Sequence, residues 1–160
     1  MAHARKLGVT IGEGCRIYIT QWGTEPFLVS IGDKVTVTDG VRFITHDGTT
    51  WLFHDADDYR YQKYGAISVG NEVFIGTGTI ILPGVTIGDQ CVIGAGSVVT
   101  RDVESGMVYA GNPAKQVSTF QALSEKIAAT CVTDGEVENA ANYRDKVISM
   151  MRSAEQMGSE

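Results

Sequence analysis

Residues 69–103 have the sequence VGNEVFIGTGTIILPGVTIGDQCVIGAGSVVTRDV, in which an aliphatic side chain returns at every sixth position. These aliphatic residues are Val69, Ile75, Ile81, Ile87, Ile93 and Val99. Two positions before the last five of them stand small or branched residues, namely Val73, Thr79, Val85, Cys91 and Ser97. A period of six matches neither the roughly 3.6 residues of a helical turn nor the alternation of a half-buried strand. It predicts an all-β solenoid, a coil of stacked short parallel strands in which each repeat buries its apolar face against its neighbours.

The same repeat can be followed upstream, with two interruptions. Ile31, Val37 and Phe43 keep the spacing of six, and Ile11 and Ile17 form an earlier pair. Residues 21–28 shift the phase by two and are predicted to form a short loop, whereas residues 49–66 form a longer excursion. We therefore expect a β-helical domain over residues 1–117 that carries the loop 49–66.

The chain after residue 117 has a different pattern. Apolar residues recur there at helical spacing, first at Phe120, Leu123 and Ile127 and then at Tyr143, Val147, Ile148 and Met151. Residues 118–160 are predicted to be a helical tail that covers an open end of the coil, packs on a sister subunit or binds a partner.

The motifs VGNEVFIG and YAGNPAK, at residues 69–76 and 109–115, resemble the closing coils of the hexapeptide-repeat acyltransferases. The similarity is greatest to the sugar and maltose O-acetyltransferase branch. This resemblance implies a left-handed parallel β-helix with three repeats per turn, a homotrimer, and acetyl-CoA as acyl donor. The period of six does not itself indicate the handedness.

His46 is the histidine placed best for chemistry, because it lies where the regular coil opens into the loop. A neutral imidazole there can take a proton from an attacking hydroxyl, or it can make a structural turn contact. The resemblance favours the general base. Its orienting partner is left open among the adjacent Asp47, a backbone carbonyl, Asp39 and Glu25.

The resemblance also implies a donor site. Phe74 would line the pantetheine channel, Gly76 and Thr77 would meet the thioester, and Arg101 and Lys115 would meet the phosphates. The implied cofactor-binding set is completed by Gly94, Ala95 and Thr100. The alternative is that Phe74 and Ala95 serve ordinary packing of the solenoid and that the two cations are solvated charges.

The loop 49–66 is rich in aromatic residues, which argues against disorder. We expect it to be ordered, either binding the acceptor or packing on a neighbouring subunit. Trp51, His54 and Tyr59 are the predicted substrate residues, because aromatic rings suit the face of a pyranose.

Composition limits the location and the partners. The net charge of −6 gives no electrostatic footprint for nucleic acid, and no apolar run approaches the length of a membrane span. Residues 1–8 lack the apolar core of a signal peptide. Cys15 and Cys91 occupy inward positions and Cys131 is predicted on the apolar side of a tail helix. Buried free thiols favour the cytoplasm.

The predicted function is acetyl-CoA-dependent O-acetylation of a sugar or polysaccharide precursor, by direct transfer and without a metal. The alternatives are N-acetylation of a nucleotide-linked amino sugar, a gamma-class carbonic anhydrase and a non-catalytic trimer. A carbonic anhydrase of that class needs three histidine ligands, and this chain has only His3, His46 and His54.

Overall fold

The computed structural model describes residues 1–133, 135 and 142–157. A short helix, α1 (Ala2–Lys6), precedes thirteen strands. The strands are β1 (Thr10–Ile11), β2 (Arg16–Ile17), β3 (Val29–Ile31), β4 (Thr36–Val37), β5 (Arg42–Phe43), β6 (Ile67–Val69), β7 (Phe74–Ile75), β8 (Ile80–Ile81), β9 (Thr86–Ile87), β10 (Val92–Ile93), β11 (Val98–Val99), β12 (Met107–Ala110) and β13 (Lys115–Thr119). The 3-10 turns Pro26–Leu28 and Gly48–Leu52 interrupt them, and the helices α2 (Phe120–Thr130) and α3 (Tyr143–Met157) follow.

The strands form three sheets that the chain visits in turn. The first face is β1-β3-β6-β9, the second is β2-β4-β7-β10-β12, and the third is β5-β8-β11. All pairs within these faces are parallel, and β13 adds to β12 as an antiparallel edge strand. The predicted stack of short parallel strands is confirmed, and it has three sides.

The pairing register shows how the repeats stack. Val69 pairs with Ile87, eighteen positions later, so that three hexapeptides complete one turn. Ile11 pairs with Ile31, twenty positions later, which is the predicted two-residue shift. Ile31 pairs with Val69, 38 positions later, because the loop is inserted in that turn.

The core follows the inward positions of the repeat. Ile75, Ile81, Ile87 and Ile93 are completely buried. The buried hydroxyl of Thr79 donates to the Gly76 carbonyl at 2.7 Å, so this inward polar side chain is satisfied without disturbing the packing.

Trp22 completes the core of the first coil, which has no strand on the third face. Its ring is buried and stacks on Phe43 with centroids 5.5 Å apart. The segment 21–28, predicted as a loop, therefore also supplies a core side chain.

Three columns of turns join the faces, and we name them by position. The first corner comprises 32–34, 70–72 and 88–90; the second comprises 38–40, 76–78 and 94–96; the third comprises 44–47, 82–84 and 100–102. At the first corner, the amide of the residue after each glycine donates to a side chain of the next coil. Asp33 N donates to Asn71 Oδ1 at 2.8 Å, and Asn71 N donates to Asp89 Oδ1 at 2.6 Å.

The chain divides into two compact units, Met1–Phe120 and Gln121–Glu160. In the second unit, Cys131 follows the end of α2 and is exposed, so its predicted place on the apolar side of a helix is wrong. None of the helices in the described part of the chain combines the length and apolar character needed to cross a membrane.

Candidate active site

His46 lies at the third corner, directly after the strand β5 has ended the third face. Its Nδ1 is 3.0 Å from Glu25 Oε2, and the same carboxylate oxygen accepts a hydrogen bond of 2.6 Å from Thr45 Oγ1. Thr45 is buried and the Glu25 side chain is only 16% exposed, whereas that of His46 is 41% exposed. The imidazole is therefore held from within the protein and open to a ligand on its other side.

The protonation pattern of this cluster follows from the hydrogen bonds. The Thr45 hydroxyl, and then His46, lower the pKa of Glu25 below its usual value. A carboxylate can only accept hydrogen bonds, so Nδ1 of His46 carries the proton that faces Glu25. In a neutral imidazole held in this way, Nε2 has a free lone pair, and this is the form of histidine that acts as a general base.

Asp47 has a different role from the one predicted for it as orienting partner. Its Oδ1 accepts from the amide and hydroxyl of Thr49 at 3.0 and 2.6 Å, which caps the turn Gly48–Leu52. These Thr49 contacts lower the pKa of Asp47. Of the candidates left open by the sequence, Glu25 is the one that contacts His46, and Asp39 lies at the second corner.

The loop folds back over His46 and encloses a cavity of about 320 Å³, which we call the loop cavity. Backbone bridges join His46 to Tyr64 and His54 to Arg60. The loop is ordered, as expected, although its aromatic side chains are largely exposed. The residues that line the cavity are Glu25, His46, Asp47, Gly48, Thr50, Trp51, Arg60, Gln62, Lys63 and Tyr64.

The predicted substrate residues are divided by this arrangement. Trp51 lines the loop cavity, whereas His54 and Tyr59 are exposed and do not line it. Arg60, Gln62 and Lys63 line it but were not predicted, because the sequence argument relied on aromatic rings rather than on cations and amides.

A second cavity, of about 350 Å³, also borders His46 and is called the corner cavity. Leu82, Pro83 and Thr100 line it together with His46 and Asp47. His46 therefore borders two neighbouring cavities.

The predicted donor residues divide between two corners. Thr100 and Arg101 follow β11 at the third corner, near His46. The other six lie along the second face and the second corner; Lys115 pairs there with Ala110, which stacks above Gly94. This second group is Phe74, Gly76, Thr77, Gly94, Ala95 and Lys115.

The second corner presents unpaired backbone amides. Among the hydrogen bonds of the described residues, the amides of Thr77 and Ala95 have no protein acceptor, and both residues are exposed. The coils approach so closely here that a Cβ on Gly76 would lie 2.5 Å from Ala95 N. The corner can therefore bring a ligand close to two free N–H groups.

Within the described residues, no group of three or more His, Cys, Asp and Glu side chains is arranged to hold a metal ion. The side chain in hydrogen-bond contact with His46 Nδ1 is the Glu25 carboxylate.

Comparisons with known proteins identify the family. The family described as bacterial transferase hexapeptide (six repeats) matches residues 66–101. Protein CapG of Staphylococcus aureus is 43% identical over 150 residues, which cover 92% of this chain and 84% of that protein. Galactoside O-acetyltransferase of Escherichia coli is 38% identical over 95 residues, covering 58% of this chain and 45% of that protein.

Among solved structures, a maltose O-acetyltransferase from Clostridium difficile 630 superposes with a TM-score of 0.58. It is 28% identical, and the superposition covers 72% of each chain. The repeat, the three-sided coil and the similarity over most of the length of CapG lead to one conclusion. The chain belongs to the hexapeptide-repeat acyltransferases, as its sequence predicted.

Proposed function

We propose that the protein transfers an acetyl group from acetyl-CoA to a hydroxyl of a sugar or polysaccharide precursor. The observation that carries this proposal is the chain of hydrogen bonds from Thr45 through Glu25 to His46, beside the loop cavity. The similarity to galactoside and maltose O-acetyltransferases supports a hydroxyl as the acceptor group.

The reaction then proceeds by direct transfer. Nε2 of His46 removes the proton of the acceptor hydroxyl as its oxygen attacks the thioester carbonyl, and the thiolate of coenzyme A leaves. Glu25 holds the imidazole and stabilises its protonated form. A backbone N–H at Gly76 or Thr77 stabilises the oxyanion, a contribution that such donors make in acyl transfer. Of these two, Thr77 has the free amide, since Gly76 N donates to Ile93 O.

The donor would lie along the second corner, with its pantetheine amides against Thr77 and Ala95. The ring of Phe74, which is 41% exposed, would line this channel. Lys115, and Arg101 supplied by the third corner of a neighbouring copy, would bind the nucleotide phosphates, for which exposed cations are suited.

We further propose a left-handed coil and a homotrimer. His46 stands at the third corner and the free amides at the second, so one face of the coil separates them. A threefold assembly that brings the third corner of one copy against the second corner of the next unites the two halves of the site. It would also cover the exposed aromatic residues of the loop. Light scattering should give a trimeric mass; a monomer with full activity on dilution contradicts the proposal.

The reaction is placed in the cytoplasm, in keeping with the buried free thiols of Cys15 and Cys91. Burial raises the pKa of Cys91, so it is a poor nucleophile, and a covalent acyl-enzyme route is disfavoured.

The test of the function is turnover in His46→Ala. With acetyl-CoA and a panel of free sugars, sugar nucleotides and polysaccharide repeat units, thiol release should fall by roughly two to four powers of ten. Acetyl-CoA binding should stay close to wild type. Glu25→Gln should lose less, since the imidazole remains. Near-wild-type turnover in His46→Ala would show that this histidine is not the base. A product acetylated on nitrogen would show that the enzyme acetylates an amine and not a hydroxyl.

A further inference from the structure

Arg60 is fixed in the loop cavity by its own loop. Its Cζ lies over the Trp51 ring, 4.7 Å from the ring centre, in a cation–π contact. The hairpin that presents Arg60 is tied by Asp55, whose Oδ1 accepts from the amides of Asp57 and Tyr59 at 3.0 and 2.9 Å. Arg60 is therefore presented from an ordered turn next to the catalytic base.

The charged side chains that line the loop cavity differ in whether they have an oppositely charged or hydrogen-bonding partner in the protein. Glu25 accepts from Thr45 and His46, and Asp47 accepts from Thr49 and lies 3.9 Å from Lys63 Nζ. By contrast, no carboxylate in the described part of the chain lies within 4 Å of the Arg60 guanidinium. Its five N–H donors are thus available to a ligand, and their fork geometry fits a carboxylate or a phosphate.

We propose that the acceptor is an acidic sugar, whose carboxylate or phosphate group binds Arg60 in the loop cavity. This inference rests on the proposed function, because it names the class of its acceptor. The cavity of about 320 Å³ stands at the lower end of the range for ligand pockets and suits one sugar unit with its charged substituent. Trp51 then serves twice, holding Arg60 and offering apolar surface to the ring of the sugar.

The phosphates of acetyl-CoA are the other anions that Arg60 could meet. The free amides proposed for the donor lie at the second corner, whereas Arg60 lines the loop cavity and does not line the corner cavity that contains Thr100. An acidic sugar and coenzyme A are therefore two distinct candidate ligands for the Arg60 side chain, and the following experiment distinguishes them.

Binding is measured first, in the absence of donor, so that the result does not depend on acetyl transfer. The probes are D-glucuronate, D-glucose 6-phosphate and neutral D-glucose at matched ionic strength, followed by tryptophan fluorescence. The chain has two tryptophans, and Trp22 is buried, so a ligand-dependent signal reports on Trp51. We expect at least one acid to bind on the order of tenfold more tightly than glucose, and added salt to reduce that preference.

The variant Arg60→Gln should lose the preference for the acid and retain the fluorescence response to glucose. The control variant Lys63→Gln also removes one positive charge from the loop cavity, and it should keep the preference for the acid. Wild type that responds equally to acids and glucose, or to none of them, overturns the inference. So does an equal loss in both variants, or an Arg60→Gln protein in which coenzyme A binding falls instead.

Turnover then separates this inference from the proposed function. If acids bind through Arg60 and are acetylated by wild type but not by His46→Ala, both stand. If acids bind through Arg60 and no acceptor is acetylated, the anion site stands and the proposed function fails. If neutral sugars are acetylated at the same kcat/KM as their acidic counterparts, the function stands and the inference fails.

Discussion

The first and second corners of the coil are built from the same repeat, yet they treat their backbone amides in opposite ways. At the first corner, the amides of Asp33 and Asn71 each donate to an oxygen of the side chain one coil further on. At the second corner, the amides of Thr77 and Ala95 have no protein acceptor among the described residues. Both corners keep a glycine where the coils approach most closely.

The difference lies in the residue that follows that glycine. Asn71 and Asp89 carry an oxygen that reaches the amide of the coil before, whereas Ala95 carries only a methyl group. An Asx residue therefore supplies the acceptor for the amide of the coil before, and alanine at the same position leaves that amide without a protein acceptor. The two corners thus differ in how far their amides are satisfied within the protein.

The largest expected effect comes from opening the first corner. Asp89→Ala leaves the amide of Asn71 without an acceptor and should lower the free energy of unfolding by about 1 to 2 kcal/mol. The KM for acetyl-CoA should not change. Urea unfolding and steady-state kinetics check the two parts. Asp89→Asn keeps an acceptor oxygen and is the matched control; a rise in KM with Asp89→Ala would show that this corner also binds donor.

A smaller effect is expected from closing the second corner. In Ala95→Asn, the asparagine side chain can accept from Thr77 N as Asn71 accepts from Asp33 N. The KM for acetyl-CoA should rise about tenfold, or about 1.4 kcal/mol, with no loss of stability. Ala95→Leu has nearly the same bulk without the oxygen. If it raises KM equally, bulk and not capping is responsible, and the contrast between the corners fails.

The smallest effect is expected at the far end of the donor. Lys115→Gln should weaken acetyl-CoA binding about three- to tenfold at low salt and less at high salt, because the lost contact is an exposed charge pair. Acetyl-pantetheine, which lacks the nucleotide, should bind wild type and variant alike. If acetyl-pantetheine instead binds Lys115→Gln more weakly than it binds wild type, the Lys115 side chain does not act through the phosphates. Isothermal titration calorimetry with both compounds supplies the measurement.

The coil and its two interruptions could be predicted because the residues that point inward recur at a short spacing along the chain, as Ile75, Ile81 and Ile87 do. The amide-to-side-chain hydrogen bonds at the first corner were not predicted, because donor and acceptor are a full turn of the coil apart in the sequence. In addition, the residue type of Asn71 does not distinguish it from other polar loop residues. Lys34 and Glu72, with φ of 54° and 56°, adopt there a backbone conformation that their residue types do not indicate.

The base was predicted at His46, but the sequence could not decide which group contacts it. Glu25 comes from the segment that breaks the repeat, so no spacing connects it to His46. The strand β13 was missed for a similar reason, because a lone antiparallel edge strand such as Lys115–Thr119 has no periodic partner.

The pairing of Ile31 with Val69 is kept across an insertion that more than doubles the length of that turn. Because each coil contacts only its neighbours, the loop can lengthen, shorten or be exchanged without moving a core residue. The second corner has no such freedom, since Gly76 and Ala95 belong to the repeats that form the coil. In evolutionary terms, an ancestral coil of this kind could acquire new acceptors by replacing one loop while its donor site was inherited with the fold.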